Sequence, residues 1–365
     1  MNLLKNIFSK KNAPIQSYDD FWNWFQKHEK DFFNVVKSRT SIENIEKLFF
    51  DQLTPKLDEL KEGYFFLSGM YDDNTAELIL TADGNAKQIV FVEELVNAAP
   101  KMDRWKITAH KAPTDEAFSI TMGDYEFNSE NISFYSNELD DYPDEIDISI
   151  IYHDLTEQNR NETKNGVYIF LDNYLGEMDS LMLIDNLKII GKHEVEKKLV
   201  PITKLKDFLN WRQKEFIEKY EGVRYDAQED EFSIFEADLQ SGNRLVALIK
   251  TELLDWDSKA SHPWISILTI KYDGSDSNGM PDDEDFQILD TLEDNILQQL
   301  KDRDGCLYIG RQTADSERKI YFACNDIRKQ SKVFYGVEQQ YAGKFEIEYA
   351  IYKDKYWQSF ERFQH

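Results

Sequence analysis

The chain partly says the same thing twice. Asp20-Phe21-Trp22-Asn23-Trp24-Phe25-Gln26-Lys27 returns as Asp207-Phe208-Leu209-Asn210-Trp211-Arg212-Gln213-Lys214, six of eight positions identical at an offset of 187. The echo continues downstream. A strand-like run, Leu78 to Ala82, ends in Asp83-Gly84 and leads to Val92-Glu93-Glu94-Leu95-Val96. In the second half, Leu268 to Tyr272 ends in Asp273-Gly274, and Leu292-Glu293-Asp294-Asn295-Ile296 follows. Two related α/β units, each opened by an aromatic helix, is the simplest account, and 365 residues suffice for two cores.

Periodicity fills in the elements. Tyr18, Phe21, Trp22, Phe25, Phe32, Val35 and Val36 fall at helical spacing over 18–38, with Ser17 and Asp20 placed like a capping box. A second helix is expected from Ser41 to about Leu60, kinked or broken near Pro55. Strands at 64–70 and 76–82, a helix at 88–99 and a strand at 104–110 follow. The segment 124–174 reads as strands, including Ile132–Tyr135, Ile146–Tyr152 and Val167–Leu171, and 175–190 reads as a helix. Residues 191–202 form a charged connection closed by Pro201, where the domain boundary is placed.

The expected division is an N-terminal segment 1–14, an α/β domain 15–195 and a C-terminal domain 203–365. After a helix at 203–220 and strands near 231–238 and 244–252, the order from residue 264 is β-α-β-β-α-β. That order predicts a ferredoxin-like, antiparallel sheet, so the fold class is α+β in two related units.

Charge narrows the function. The chain carries 43 Lys and Arg against 69 Asp and Glu, a net charge of −26 spread over both halves. Such a surface repels a polyanion and attracts a basic protein, so a basic protein partner is expected and a nucleic acid is not. The same acidity would also serve solubility alone. No run of about 18 apolar residues is present, and the start lacks the apolar stretch of a secretory signal; Leu3, Leu4, Ile7 and Phe8 fit a small amphipathic turn. The two cysteines, Cys306 and Cys324, lie in apolar strand-like contexts outside any C-x-x-C pattern, which points to buried thiols and a reducing, cytoplasmic setting.

Chemistry-bearing motifs are sparse. The turn-rich loop after residue 272 offers Asp273, Asp276, Asn278, Asp282, Asp283 and Asp285, oxygen donors of the kind hard cations take. It does not fit the EF-hand pattern: with Gly279 sixth, the first ligand would be Gly274 and the twelfth Asp285. A solvated loop leading into a helix N-terminus explains the same residues. The pairs Glu93-Glu94 and Glu293-Asp294 recur, but 69 acids make such pairs common by chance. His28, His110, His153, His193, His262 and His365 make no zinc spacing, and no nucleophile-elbow, P-loop or dinucleotide motif occurs. No catalytic residue, metal ligand or cofactor is therefore assigned. Trp256, Trp264 and Trp357 form a candidate interface, or cover the ends of a sheet as core.

From about residue 225 the chain resembles the bacterial domain of unknown function family 695. The resemblance rests on Ile270-Lys271-Tyr272-Asp273, Asn278-Gly279-Met280-Pro281, Leu292-Glu293-Asp294, Gly310, Thr313 and Arg318, and on the tail Asp354-Lys355-Tyr356-Trp357-Gln358-Ser359-Phe360. In that family Asp-Pro usually precedes the tail Trp; here Lys355 replaces the Pro and Trp357 comes one place late. The family has no established activity. It is distantly similar to the RNase E regulator B proteins, acidic ferredoxin-like inhibitors of a ribonuclease, which implies a binding role by analogy of fold. The expected function is a non-enzymatic, acidic protein-binding or regulatory module. The alternatives are an immunity protein against a cognate toxin, and a hydrolase or metal-dependent enzyme with an unrecognised carboxylate site.

Overall fold

A computed structural model describes residues 14–38, 42–114, 118–226 and 230–364. The N-terminal amphipathic stretch and His365 lie outside the described residues. The chain packs as two compact units, residues 1–112 and 113–365.

In the first unit, helix α1 (Tyr18–Ser38) is followed by α2 (Ile42–Ile45), a π-helical stretch at Glu46–Phe50, and α3 (Asp51–Leu60). The expected break thus falls one turn ahead of Pro55, which sits inside α3. Strands β1 (Phe65–Met70), β2 (Ala76–Thr81) and β3 (Trp105–Ala109) make a sheet in that order, β1 antiparallel and β3 parallel to β2, with α4 (Ile89–Asn97) as the crossover. Phe21, Trp22, Trp24 and Phe25 of α1 are buried. Phe25 meets Trp105 at 5.2 Å, edge to face, and Trp22 Nε1 donates to the Leu95 carbonyl at 2.8 Å. The aromatic helix is thus the core of this unit.

The second unit opens with a small hairpin, β4 (Ile120–Met122) and β5 (Tyr125–Phe127), then β6 (Ile132–Asn137) and β7 (Asp147–Tyr152). Residues Val167–Leu171, expected as a strand, lie in helix α5 (Arg160–Leu175). Their β-branched and aromatic composition mimics a strand, but the buried positions Thr163, Gly166, Val167, Phe170, Leu171 and Tyr174 recur every three to four residues. A Cβ at Gly166 would sit 2.1 Å from the Phe127 ring, so only glycine lets the hairpin lie on this helix. The helix expected over 175–190 is a short one, α6 (Glu177–Leu183), followed by strand β8 (Asn186–Gly191).

With β9 (Val200–Pro201), these strands form a sheet of order β8-β7-β6-β9. The compact division therefore falls at 112/113 and not in the charged connection of 191–202. Pro201 pairs with Ser133 at the sheet edge, and Ile202, Leu205 and Leu209 enter the same core as Ile148, Ile150 and Phe170. Helix α7 (Leu205–Tyr220), which carries the second copy of the aromatic motif, covers the preceding sheet.

The remainder is a six-stranded antiparallel sheet, making the chain mixed α+β. Its strands are β10 (Ser233–Asp238), β11 (Arg244–Ile249), β12 (Trp264–Lys271), β13 (Cys306–Ala314), β14 (Glu317–Cys324) and β15 (Glu346–Lys353), in the order β10-β11-β13-β14-β12-β15. Helix α8 (Thr251–Leu254) precedes β12; α9 (Asp283–Gln299) and α10 (Arg328–Gln340) lie in the two later connections. Phe334 of α10 meets Phe322 and Tyr349 on one face of the sheet. Trp357, Phe360 and Phe363 of the tail pack on the other, against Ile265, Ile309 and Tyr321.

A bulge in β13 controls what this sheet presents to α9. The register with β14 shifts between Tyr308 and Gly310, leaving Ile309 as an extra residue. Residues three apart would ordinarily face opposite sides of a strand. The bulge puts Tyr308 and Arg311 on the same side, where the Tyr308 hydroxyl donates to Glu293 Oε1 and the Arg311 guanidinium donates to Glu293 Oε2 at 2.8 Å. Gly310 (φ 147°) is required there, since a Cβ would come 2.1 Å from the Leu248 carbonyl. Arg318, 1% exposed, completes the buried network with bonds to Asp290 (2.8 Å) and Thr313 (3.2 Å).

Candidate functional site

The acidic loop does not gather its carboxylates. Asp273 accepts from the Ser275 amide and hydroxyl, closing its own turn. Asp282 caps α9 by accepting from the Asp285 amide at 2.8 Å. Asp285 is buried and paired with Lys344 at 2.7 Å. Asn278 takes the left-handed conformation (φ 52°), Asp276 lies in a short 3₁₀ turn, and Asp283 is an exposed residue of the first turn of α9. The loop docks through its backbone: the Gly279 carbonyl accepts from Ser316 N (2.8 Å) and from the Tyr272 hydroxyl (3.0 Å). Among the described residues no three His, Cys, Asp or Glu side chains stand together as a metal site.

The candidate interface of tryptophans resolves as core. Trp264 and Trp357 are buried, and Trp357 Nε1 donates to the His262 carbonyl at 2.9 Å. Trp256 is half-buried against Trp357 and His262. His262, enclosed here and close to Arg224, has its pKa lowered to about 4, chiefly by burial.

The exposed tryptophan is Trp211. In the first copy of the repeated motif, Trp24 is buried; in the second, Trp211 is 54% exposed. The difference is in how much of each helix is covered: α1 buries Phe21, Trp22, Trp24 and Phe25, whereas α7 buries only Leu205 and Leu209. Leu205 and Leu209 turn α7 toward its sheet, and Trp211 lies about 200° around the helix from Leu209. It stands over a cleft of about 300 Å³ between α7 and the loop 136–145, with Phe208 and Tyr142 as apolar walls and Glu138, Asp140 and Glu145 as acids. Arg212 fastens this loop to α7, donating to the Pro143 and Glu145 carbonyls (2.6 and 3.3 Å).

A second hollow of about 460 Å³ shares Leu139, Tyr142 and Glu145 with the first and adds Asp147, Asp185 and Asp354. Sharing that stretch of loop, the two hollows are taken together as the acidic trough; Arg212 lines the first, and Lys353 and Lys355 the second. Glu145 has its pKa raised, first by burial and then by Asp185.

Beneath the trough, two polar knots hold the six-stranded sheet to the four-stranded one. Lys353 and Lys355 share Asp185, each at 2.6 Å, one on each oxygen. Lys353 also donates to the Met182 carbonyl, and Lys355 to that of Asp144, both at 2.7 Å. Burial, with Lys355 nearby, lowers Lys353 to about 8 against the pull of Asp185. The Asp144 carboxylate accepts from Lys219 (2.8 Å), Tyr220 (2.7 Å) and Tyr356 (2.8 Å). Burial works to raise its pKa, but those hydrogen bonds outweigh it and hold Asp144 below its ordinary value.

Residues 241–364 match DUF695, a family of unknown function. The match begins in the turn before β11, so α7 and the Trp211 cleft precede it. Within the DUF695 part, Gly279 (φ 80°) lies against the backbone of Asp315, where a Cβ would come within 3.0 Å, and Arg318 anchors the buried network. Lys355, which stands where the family resemblance implies a proline, is one of the two lysines on Asp185. No curated protein and no solved structure matches the chain.

Proposed function

We propose that this chain is a non-enzymatic binding or regulatory protein that takes a basic segment of a partner protein, a nuclease among the candidates, into the acidic trough beside α7. The observation that carries the reading is Trp211, an indole left exposed on a folded helix and flanked by Glu138, Asp140 and Glu145. An exposed aromatic face attracts a Lys or Arg side chain by cation–π contact, and carboxylates around it select for positive charge and speed encounter. The net charge of −26 extends the same field over the molecule.

The order β12-α9-β13-β14-α10-β15, with β14 paired between β12 and β13, supports reading the DUF695 part as ferredoxin-like. It also favours the analogy with acidic regulators of that fold. The test is a titration of the full chain with a Lys- and Arg-rich peptide, followed by calorimetry. Binding is expected to weaken steeply with added salt and to be lost in Trp211→Ala and in Glu138→Lys/Asp140→Lys. Unchanged affinity in those variants would contradict the assignment of the site.

A further inference from the structure

The chain's two cysteines face each other directly across β13 and β14, Cys306 opposite Cys324. The Asn325 amide donates to the Gly305 carbonyl at 2.9 Å, one position outside the pair, so the cysteines occupy a non-hydrogen-bonded site of the ladder. At such sites Cα atoms approach to about 4.5 Å, inside the roughly 4.4–6.8 Å that a disulfide spans. Both residues are buried, Cys306 at 2% and Cys324 at 0% exposure. The register thus suits a cross-strand bond between them.

We propose that Cys306 and Cys324 are a redox-modification site, converted to an intrachain cross-strand disulfide by a small-molecule disulfide oxidant. Cys324 is fully enclosed, whereas Cys306, the first residue of β13, follows directly on the Gly305 turn and makes the first attack. Its thiolate displaces one thiolate from the oxidant, giving a mixed disulfide. Cys324, as thiolate, then attacks the Cys306 sulfur and expels the second. Two protein thiols become one disulfide, the oxidant is reduced to two thiols, and the two protons end on those leaving groups. The bond would close the base of the hairpin that carries Arg311, Thr313 and Arg318, and with it the Asp315-Ser316 turn on which the 273–282 loop docks.

The experiment uses the full chain under native conditions with excess oxidised glutathione, followed by alkylation in denaturant and mass spectrometry. The expected result is loss of both titratable thiols, a mass lower by about 2 Da, and a linked pair of peptides containing Cys306 and Cys324. The melting midpoint is expected to rise on oxidation and to return with dithiothreitol. Cys306→Ser, and Cys324→Ala as the apolar variant that suits a buried site, should show no such reversible rise. Two alkylatable thiols after prolonged oxidation, or glutathione adducts in place of the link, would overturn the proposal.

Discussion

The buried network under α9 yields the sharpest stability prediction. Glu293 is 5% exposed and accepts from Tyr308 and Arg311, with Arg318 at 3.6 Å. Glu293→Gln keeps the shape, removes the charge and turns an amide donor toward groups that are already donors. Two guanidiniums, one of them fully enclosed, are then left with Asp290 as the carboxylate bound to both. Breaking one side of a buried ionic network costs about 3–5 kcal/mol. Asp290→Asn, whose side chain is 38% exposed and can be replaced in part by water, should cost about 1 kcal/mol. Urea denaturation of the full chain, followed by far-UV circular dichroism, measures both. In a double-mutant cycle, Tyr308→Phe with Glu293→Gln should show a coupling of about 1 kcal/mol or more. Equal costs for the two carboxylates, or no coupling to Tyr308, would refute the claim that Glu293 is the centre of the network.

Three further outcomes are expected. Gly310→Ala must displace the Leu248 carbonyl, so it should destabilise by about 3 kcal/mol or abolish soluble expression, while Gly336→Ala, with open space around it, should be tolerated. Gly279→Ala meets both a positive φ and the Asp315 backbone, and a loss of about 1–2 kcal/mol is expected by the same denaturation assay. Folding lowers Lys353 from 10.5 to about 8, so between these values the unfolded chain holds more protons and stability rises with pH. That rise amounts to at most about 3 kcal/mol, and stability curves from pH 7 to 10.5 should show it in the wild type and lose it in Lys353→Met.

Much of the fold was legible because its signals are local. The strands and helices from residue 264 onward fall close to where alternation, helical spacing and the Asp282 cap place them. The α1 aromatics and the Asp83-Gly84 turn, both residues at positive φ, were equally plain. Val167–Leu171 was misread because a five-residue apolar run carries no period; only the wider spacing from Thr163 to Tyr174 does.

The candidate site was less legible. Trp211 gives no local signal, since Trp24 has the same offset from buried Trp22 and is itself buried, while of the candidate residues Trp256, Trp264 and Trp357 two are fully core. The pairing of Lys353 and Lys355 with Asp185 joins residues 168 and 170 positions apart, and no pattern in one sequence encodes that distance. The same holds for the bulge that brings Tyr308 and Arg311 together, since Gly310 alone gives no register.

The most direct test of the central claim is affinity capture from lysate of the source cells at low salt, with the wild type beside Trp211→Ala/Glu138→Lys/Asp140→Lys, and mass spectrometry of what each retains. The wild type should hold a basic protein that elutes as salt is raised, and the variant should not. The same proteins on both baits, or none on the wild type in repeated trials, would contradict a binding function seated in this trough.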